Sequence, residues 1–211
     1  MLPASDWMLF VGAALLMVLT PGPNMVYLIS RTLCQGRGAG VVSLLGVIAG
    51  FLAHMFAAAA GLTALFIAVP FAYDALRWAG AAYLLWLAWQ ALKPGARSVF
   101  DGRELPHDSR PRLFAIGFLT NVLNPKVAVF YLSILPQFVT TQHGSIFAQS
   151  IALGATQIAV SFSVNLLIVV FAGGLANWFH RKPIWLTTQR YIMGSVLGAL
   201  AMRMALEEKR A

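Results

Sequence analysis

Lys126 is the residue whose type and position most clearly predict chemistry. It follows Asn124-Pro125 near the middle of an apolar run over 112–138. A cation at that depth in a bilayer costs at least about 2.5–3.5 kcal/mol, and such residues are by default functional. Because proline restarts the helix, Lys126 should lie in the first turn of a half-helix, whose amino end carries partial positive charge. A substrate carboxylate would stabilise this end, and the alternative is a lysine that snorkels to one interface.

Amide side chains and a glycine flank two proline breaks, which read Thr-Pro-Gly-Pro-Asn and Asn-Val-Leu-Asn-Pro-Lys. Besides Lys126, the candidate substrate-binding or gating residues are Pro21, Gly22, Pro23, Asn24, Asn121, Asn124, Pro125 and Gln157. Amides bond either a ligand or the backbone groups that a break frees, and for each asparagine alone structural capping is an equal alternative. Gly22 permits close approach of a ligand or a neighbouring helix.

Polar and small residues repeat at helical spacing in two other apolar runs. They are Ser43, Gly46, Gly50 and His54 in one run, and Gly154, Gln157, Ser161 and Asn165 in the other. Such stripes should face the protein interior, with the glycines serving helix packing. His54, Ser161 and Asn165 are the candidate proton or polar pathway. A neutral histidine bonded to a neighbour is the commoner arrangement, and it is the alternative to proton carriage by His54.

Enzymatic and metal chemistry find no support in the sequence. No Asp or Glu lies deep in an apolar run, and the histidines outside these runs are too scattered for a metal site. No nucleophile, base and orienting group occur together. The single cysteine, Cys34, excludes an internal disulfide and a two-thiol relay. We therefore expect no metal, no cofactor and no enzyme.

Composition places these residues in a membrane protein. The 211 residues are 59% hydrophobic and 10% charged, whereas soluble domains are about 25% charged. Six apolar runs, each about long enough to span a bilayer, cover residues 7–30, 39–69, 75–92, 112–138, 147–172 and 187–206. We predict an all-α, polytopic membrane protein in which proline breaks the first and fourth of six transmembrane helices. The net charge is +8, but the basic residues do not form a compact segment with interleaved aromatics. We therefore expect no nucleic-acid partner.

The distribution of positive charge predicts the orientation. With six spans, loops one, three and five carry ten Lys and Arg residues, and the opposite side carries four. By the positive-inside rule, both termini lie outside, and Cys34 and the 93–111 loop are cytoplasmic. Five or seven spans, the alternative, would change this count.

An internal repeat relates the two halves of the chain. At an offset of 104 residues, Pro21, Tyr27 and Leu28 align with Pro125, Tyr131 and Leu132. Repeat one covers about 1–92 and repeat two about 112–211, within a single transporter domain. Three spans in each half require the second half to enter the membrane inverted, an arrangement that many secondary transporters use. Chance similarity between apolar segments is the alternative. The same offset pairs Gly22 with Lys126.

Several motifs occur in an order that resembles a known family. They are Thr-Pro-Gly-Pro-Asn at 20–24, Gly-Arg-Gly-Ala-Gly at 36–40, the glycines at 46 and 50, and the segments 77–87 and 117–126. Together they resemble the lysine-exporter (LysE/RhtB) family of amino-acid exporters over nearly the whole chain. The resemblance implies efflux of an amino acid or a derivative across a bacterial inner membrane, driven by the proton gradient. It marks residues 21–24, 121 and 124–126 as motif positions and leaves the substrate open.

The resulting hypothesis is a secondary exporter that works by alternating access. Its partners would be a small amino-acid substrate, the lipid bilayer and a coupling proton. The lack of a buried acid favours a neutral amino acid. The alternatives are a non-transporting membrane scaffold and a transporter of a different small solute. A homo-oligomer packed through Gly194 and Gly198 is as compatible with the sequence as packing of these glycines within one chain.

Overall fold

The computed structural model describes residues 3–20, 22–68 and 107–181, together with isolated helical positions between 78 and 89 and between 191 and 202. Within these residues all regular structure is helical. Several predictions fall largely outside the described residues: the spans 75–92 and 187–206, and the 93–111 loop up to residue 106. Of the two glycines considered for oligomer packing, Gly194 is also outside them. The four other apolar runs are described and form the architecture below.

The first apolar run is a broken helix, as its prolines predict. Helix α1 covers Ala4–Leu19, helix α2 covers Pro23–Gln35, and the two axes meet at 54°. Pro23 opens α2, a position where proline is tolerated because the first N–H groups of a helix have no partner within it. The backbone of Gly22 is extended and forms the joint between the two half-helices.

The fourth apolar run is also broken. Helix α4 covers Arg110–Val122 and helix α5 covers Pro125–Val129. The chain then continues through a π-helical turn at Phe130–Ile134 and a 3-10 turn at Leu135–Phe138, at 51° to α4. A second 3-10 turn follows at Thr141–His143. The proline restart was predicted, whereas the π-helical turn was not.

Two long helices complete the described part. Helix α3 covers Arg37–Ala68 and helix α6 covers Ile146–Arg181. Both are long and apolar enough to cross a membrane, and each broken pair passes the same test when taken as one span. The described residues therefore contain two to four candidate spans.

The connection between α2 and α3 is shorter than the sequence suggested. Arg31 to Gly40 was expected to form a loop, but α2 continues to Gln35 and α3 begins at Arg37. Gly36 alone separates them, with a φ of 84° that favours glycine. One residue in this conformation connects the two helices without a loop.

Glycines let α3 and α4 pack closely, as predicted. A Cβ atom at Gly46 would meet the carbonyl oxygen of Phe114, and one at Gly117 would meet the carbonyl oxygen of Ser43. At Gly50 it would lie 2.6 Å from the Cβ of Asn121. Backbones this close gain van der Waals contact, which drives helix association in lipid. This seam joins the two halves of the chain.

The polar stripes face inward, which confirms the prediction from their spacing. Ser43, Gln157 and Ser161 are fully buried, and Asn165 is 3% exposed. Large apolar side chains such as Leu45, Phe56 and Phe171 are exposed instead. This pattern, polar inside and apolar outside, suits a protein surrounded by lipid.

Replacing Gly46 by Ala should destabilise the fold, because the new methyl group meets the backbone of α4. We expect a loss of about 1–3 kcal/mol in the free energy of unfolding. Gly61→Ala is the matched control on the same helix, where a Cβ atom meets nothing within 4 Å. Thermal unfolding in detergent compares the two variants, and an equal melting temperature would contradict the close seam.

Candidate functional site

Lys126 bridges the two breaks. It lies in the first turn of α5, where its backbone N–H donates to Oδ1 of Asn124 at 3.1 Å. Its Nζ reaches the other break and donates to the carbonyl oxygens of Met17 at 2.9 Å and Thr20 at 2.7 Å. These carbonyls belong to the last turn of α1 and its cap residue, 109 and 106 residues away in sequence.

The ammonium group therefore has a partner within the protein. From the sequence we expected that an anion would stabilise the cation of Lys126 at the amino end of the helix. In the structure the side chain extends to the carboxyl end of α1, where the helix dipole favours positive charge. Met17 is the residue four positions before Pro21, which has no N–H to give. Lys126 supplies the donor that this proline removes.

Gly22 provides the space for this bridge. A Cβ atom there would lie 3.0 Å from Nζ of Lys126 and 3.3 Å from its Cε. The group that approaches Gly22 closely is thus the side chain of Lys126, from the other half of the chain. The two positions that the 104-residue offset aligns lie against each other in space.

His54 plays the reciprocal role at the second break. Its Nε2 lies 3.3 Å from the carbonyl oxygen of Asn121, and a ring protonated at Nε2 donates to it. Asn121 is four positions before Pro125, so its carbonyl lacks the usual helical donor, and it accepts from the backbone N–H of Asn124 at 3.0 Å as well. Each break therefore receives a side-chain donor from the other half of the chain.

Three asparagines at the breaks keep buried amide atoms with no hydrogen-bond partner among the described residues. These atoms are Oδ1 of Asn24, both amide atoms of Asn121, and Nδ2 of Asn124. The three side chains are at most 8% exposed. Leaving such a group unpaired costs about 1–3 kcal/mol. Four such atoms therefore lie at the two breaks.

Tyr131 connects the second break to α6. Its ring stacks on that of His54, with centroids 5.8 Å apart, and its hydroxyl donates to Oε1 of Gln157 at 2.7 Å. Nε2 of Gln157 donates to Oγ of Ser161 at 2.7 Å, and Asn165 donates to the carbonyl of Ser161 at 2.8 Å. Side-chain hydrogen bonds thus link Tyr131, Gln157 and Ser161, whereas His54 joins them by ring stacking and Asn165 by the backbone carbonyl of Ser161.

Sequence reasoning missed two tyrosines, although the repeat contained the signal. Tyr27 and Tyr131 are aligned at the 104-residue offset, six positions after each proline. Each bonds the long helix that follows its broken helix: Tyr27 through Ser43 of α3 at 3.1 Å, and Tyr131 through Gln157 of α6. Their shared placement would have identified both as interior hydrogen-bonding groups.

Two predicted site residues are only partly open to description. Pro21 lies outside the described residues, and Pro125 is described only as the start of α5. In the described ranges, no three His, Cys, Asp or Glu side chains come together as a metal site would require.

Apolar helices broken at a buried polar junction define a multi-pass membrane protein of the transporter type. The chain belongs to the LysE family, whose profile, described as LysE type translocator, matches residues 15–208. It is accordingly a transport protein rather than an enzyme.

Named relatives agree with this assignment. The chain is 32% identical over 173 residues to the homoserine/homoserine lactone efflux protein of Salmonella typhimurium, which covers 82% of each chain. It is 28% identical over 202 residues to an uncharacterized membrane protein of Vibrio cholerae, which covers 94% of this chain and 96% of the relative. No solved structure matches the chain.

Replacing Gly22 by Ala should weaken the bridge between the breaks. The new methyl group must displace the end of Lys126 by a few tenths of an ångström, which lengthens its bonds to Met17 and Thr20. We expect a loss of about 1 kcal/mol in the free energy of unfolding. Gly12→Ala in α1 is the matched control, because a Cβ atom there meets nothing within 4 Å. Equal unfolding curves for the two variants would refute the bridge.

Proposed function

We propose that the protein is a secondary exporter of an amino acid or an amino-acid derivative, with its substrate site at the junction of the two breaks. The observation that carries this proposal is the set of buried amide atoms without partners on Asn24, Asn121 and Asn124. They flank the point where Lys126 joins the halves. A bound polar solute would supply the missing hydrogen bonds.

The chemistry of these atoms suits a zwitterion. The unpaired nitrogens of Asn121 and Asn124 donate hydrogen bonds and match a carboxylate. The unpaired oxygens of Asn24 and Asn121 accept hydrogen bonds and match an ammonium group. Lys126 donates two hydrogen bonds to α1 and has three N–H groups, so one remains for a carboxylate. Gln157 is connected to the second break through its hydrogen bond from Tyr131.

Transport would proceed by alternating access between two inverted repeats. The equivalent bends, the equivalent tyrosines and the deprived carbonyls at Met17 and Asn121 support this arrangement, since each pair is separated by 104 residues. Rocking of one repeat against the other would expose the junction to each side in turn. Six spans in a bacterial inner membrane complete the proposal.

Proton coupling would pass through His54. Its ring is half-buried, bonds the deprived carbonyl of Asn121 and stacks on Tyr131. A proton exchanged at His54 would therefore act directly on the second break and on the chain through Gln157, Ser161 and Asn165. Histidine is the side chain whose charge changes most readily near neutral pH.

Homoserine and homoserine lactone are the first solutes to test, because the Salmonella relatives are named for their efflux. Counterflow in proteoliposomes, with a panel of neutral and basic amino acids beside these two, tests the function. Exchange of at least one of these solutes supports the exporter. Absence of any exchange favours a scaffold or a transporter of another solute.

Asn121→Leu should abolish counterflow without lowering stability. Leucine has nearly the same shape, and the amide that it removes bonds no described residue, so loss of its buried polarity is neutral or stabilising. Ser150→Ala is the matched control, because Oγ of Ser150 is equally buried and equally unpaired but lies near the start of α6. Normal counterflow by Asn121→Leu would remove this residue from the site.

The proposed orientation is tested with the natural thiol. Cys34 is the only cysteine and lies near the carboxyl end of α2. An impermeant maleimide should leave it unmodified in intact cells and modify it in inside-out vesicles. Modification in intact cells would reverse the topology.

A further inference from the structure

A second polar cluster joins α2 to the start of α4. Arg31 of α2 pairs with Asp108, which lies just before α4, at 2.7 Å between Nη2 and Oδ2. Both side chains are nearly buried, at 10% and 4% exposure. Gln35 reinforces the contact by donating to the carbonyl of Asp108 at 3.0 Å and accepting from Arg31 at 3.3 Å. The carboxylate also meets Arg112 at 3.0 Å.

A further contact between the same helices lies one turn deeper. The hydroxyl of Tyr27 donates to the carbonyl of Leu113 at 2.6 Å, and the guanidinium of Arg31 lies 5.9 Å from the centre of the Tyr27 ring. Tyr27 and Arg31 are neighbours on one face of α2. The cluster therefore ties α2 of the first half to α4 of the second half across two layers.

We propose that Arg31 and Asp108 form a gate that closes the transport pathway at the end that carries the 107–109 segment. This gate deepens the proposed exporter function and rests on it for its physiological role. Rocking of the halves must separate α2 from the start of α4 to open this end, and the pair joins these two segments directly. Gln35 and Tyr27 are positioning residues for the pair.

The energetics of a buried ion pair suit a gate. Attraction between the two charges is largely offset by the cost of removing them from water, so the pair is worth little in net terms. Separation alone would take the buried guanidinium of Arg31 away from the carboxylate of Asp108, whereas separation with entry of water hydrates both groups. The pair therefore opposes partial opening, but breaking it costs little free energy once water hydrates this end fully.

The opposite end is held differently. At the 104-residue offset Arg31 and Asp108 align with Leu135 and Ala4, which are apolar. That end is joined by the rings of Phe10 and Phe138, 5.3 Å apart and edge to face. One end is thus held by the Arg31–Asp108 pair and the other by an apolar contact. Removing the charges should therefore affect only the end that carries the pair.

Cysteine accessibility tests the gate. In a Cys34→Ala background, Ser161→Cys places the only thiol in the buried polar chain of α6. Right-side-out and inside-out vesicles are labelled with an impermeant maleimide, with and without the pair of substitutions Arg31→Gln and Asp108→Asn. Removing both charges leaves no unpaired buried charge, which keeps the variant folded.

We expect labelling of this double variant to rise about tenfold from the side that exposes Cys34 in the parent chain, which corresponds to about 1.4 kcal/mol. Labelling from the other side should fall, because the population shifts towards one open state. Unchanged labelling, or an equal rise from both sides, overturns the gate. The single variant Arg31→Lys keeps both charges, so slow labelling of this variant supports the gate.

Arg112→Gln is the matched control. Its side chain is 69% exposed and pairs with the same carboxylate, so we expect a change of less than about twofold. Counterflow by the parent chain is measured separately. A labelling shift without counterflow would uphold the gate and refute the exporter, and counterflow without a labelling shift would do the reverse.

Discussion

Satisfying the carbonyl groups that proline deprives of a donor is the constraint on which the rest of the structure depends. In hydrocarbon such a group has no water to bond, so protein must provide the donor. Here the carbonyls of Met17 and Asn121 are bonded by Lys126 and His54, and each donor comes from the other half of the chain. The hydrogen bonding of each broken helix thus depends in part on a side chain of the opposite half.

This exchange explains why the amides at the breaks remain available. Asparagine beside a helix break normally serves as a cap, and Asn124 does so with one of its two amide atoms. Because longer side chains already satisfy the carbonyls, the other amide atoms of Asn24, Asn121 and Asn124 are not required for the fold. The groups that hold the junction are thus different from the groups that we propose to bind a solute there.

Much of the fold could be predicted from residue types alone. The proline breaks, the two long helices and the inward polar stripes follow from patterns within about 30 residues of chain, and the glycines at 46 and 50 indicated close packing. The partners of Lys126 and His54 could not be predicted, since no local pattern specifies which carbonyl lies opposite a side chain. The pairing of Arg31 with Asp108 was missed for a related reason: Arg31 was counted only among the loop charges that set orientation, and Asp108 only as an acid of the long polar stretch. The one-residue turn at Gly36 and the π-helical turn that contains Tyr131 depend on local backbone conformations that composition does not encode.

The pairing of Gly22 with Lys126 has a consequence for how such a chain could arise by duplication. The two residues occupy corresponding positions in the two halves, yet one contributes a side chain and the other only space. Two identical halves would bring either two ammonium groups to one point or none, so neither symmetric ancestor could hold this junction as it stands. Fusion into a single gene allows the two copies of this codon to diverge, and that divergence fixes which half is the donor and which is the acceptor.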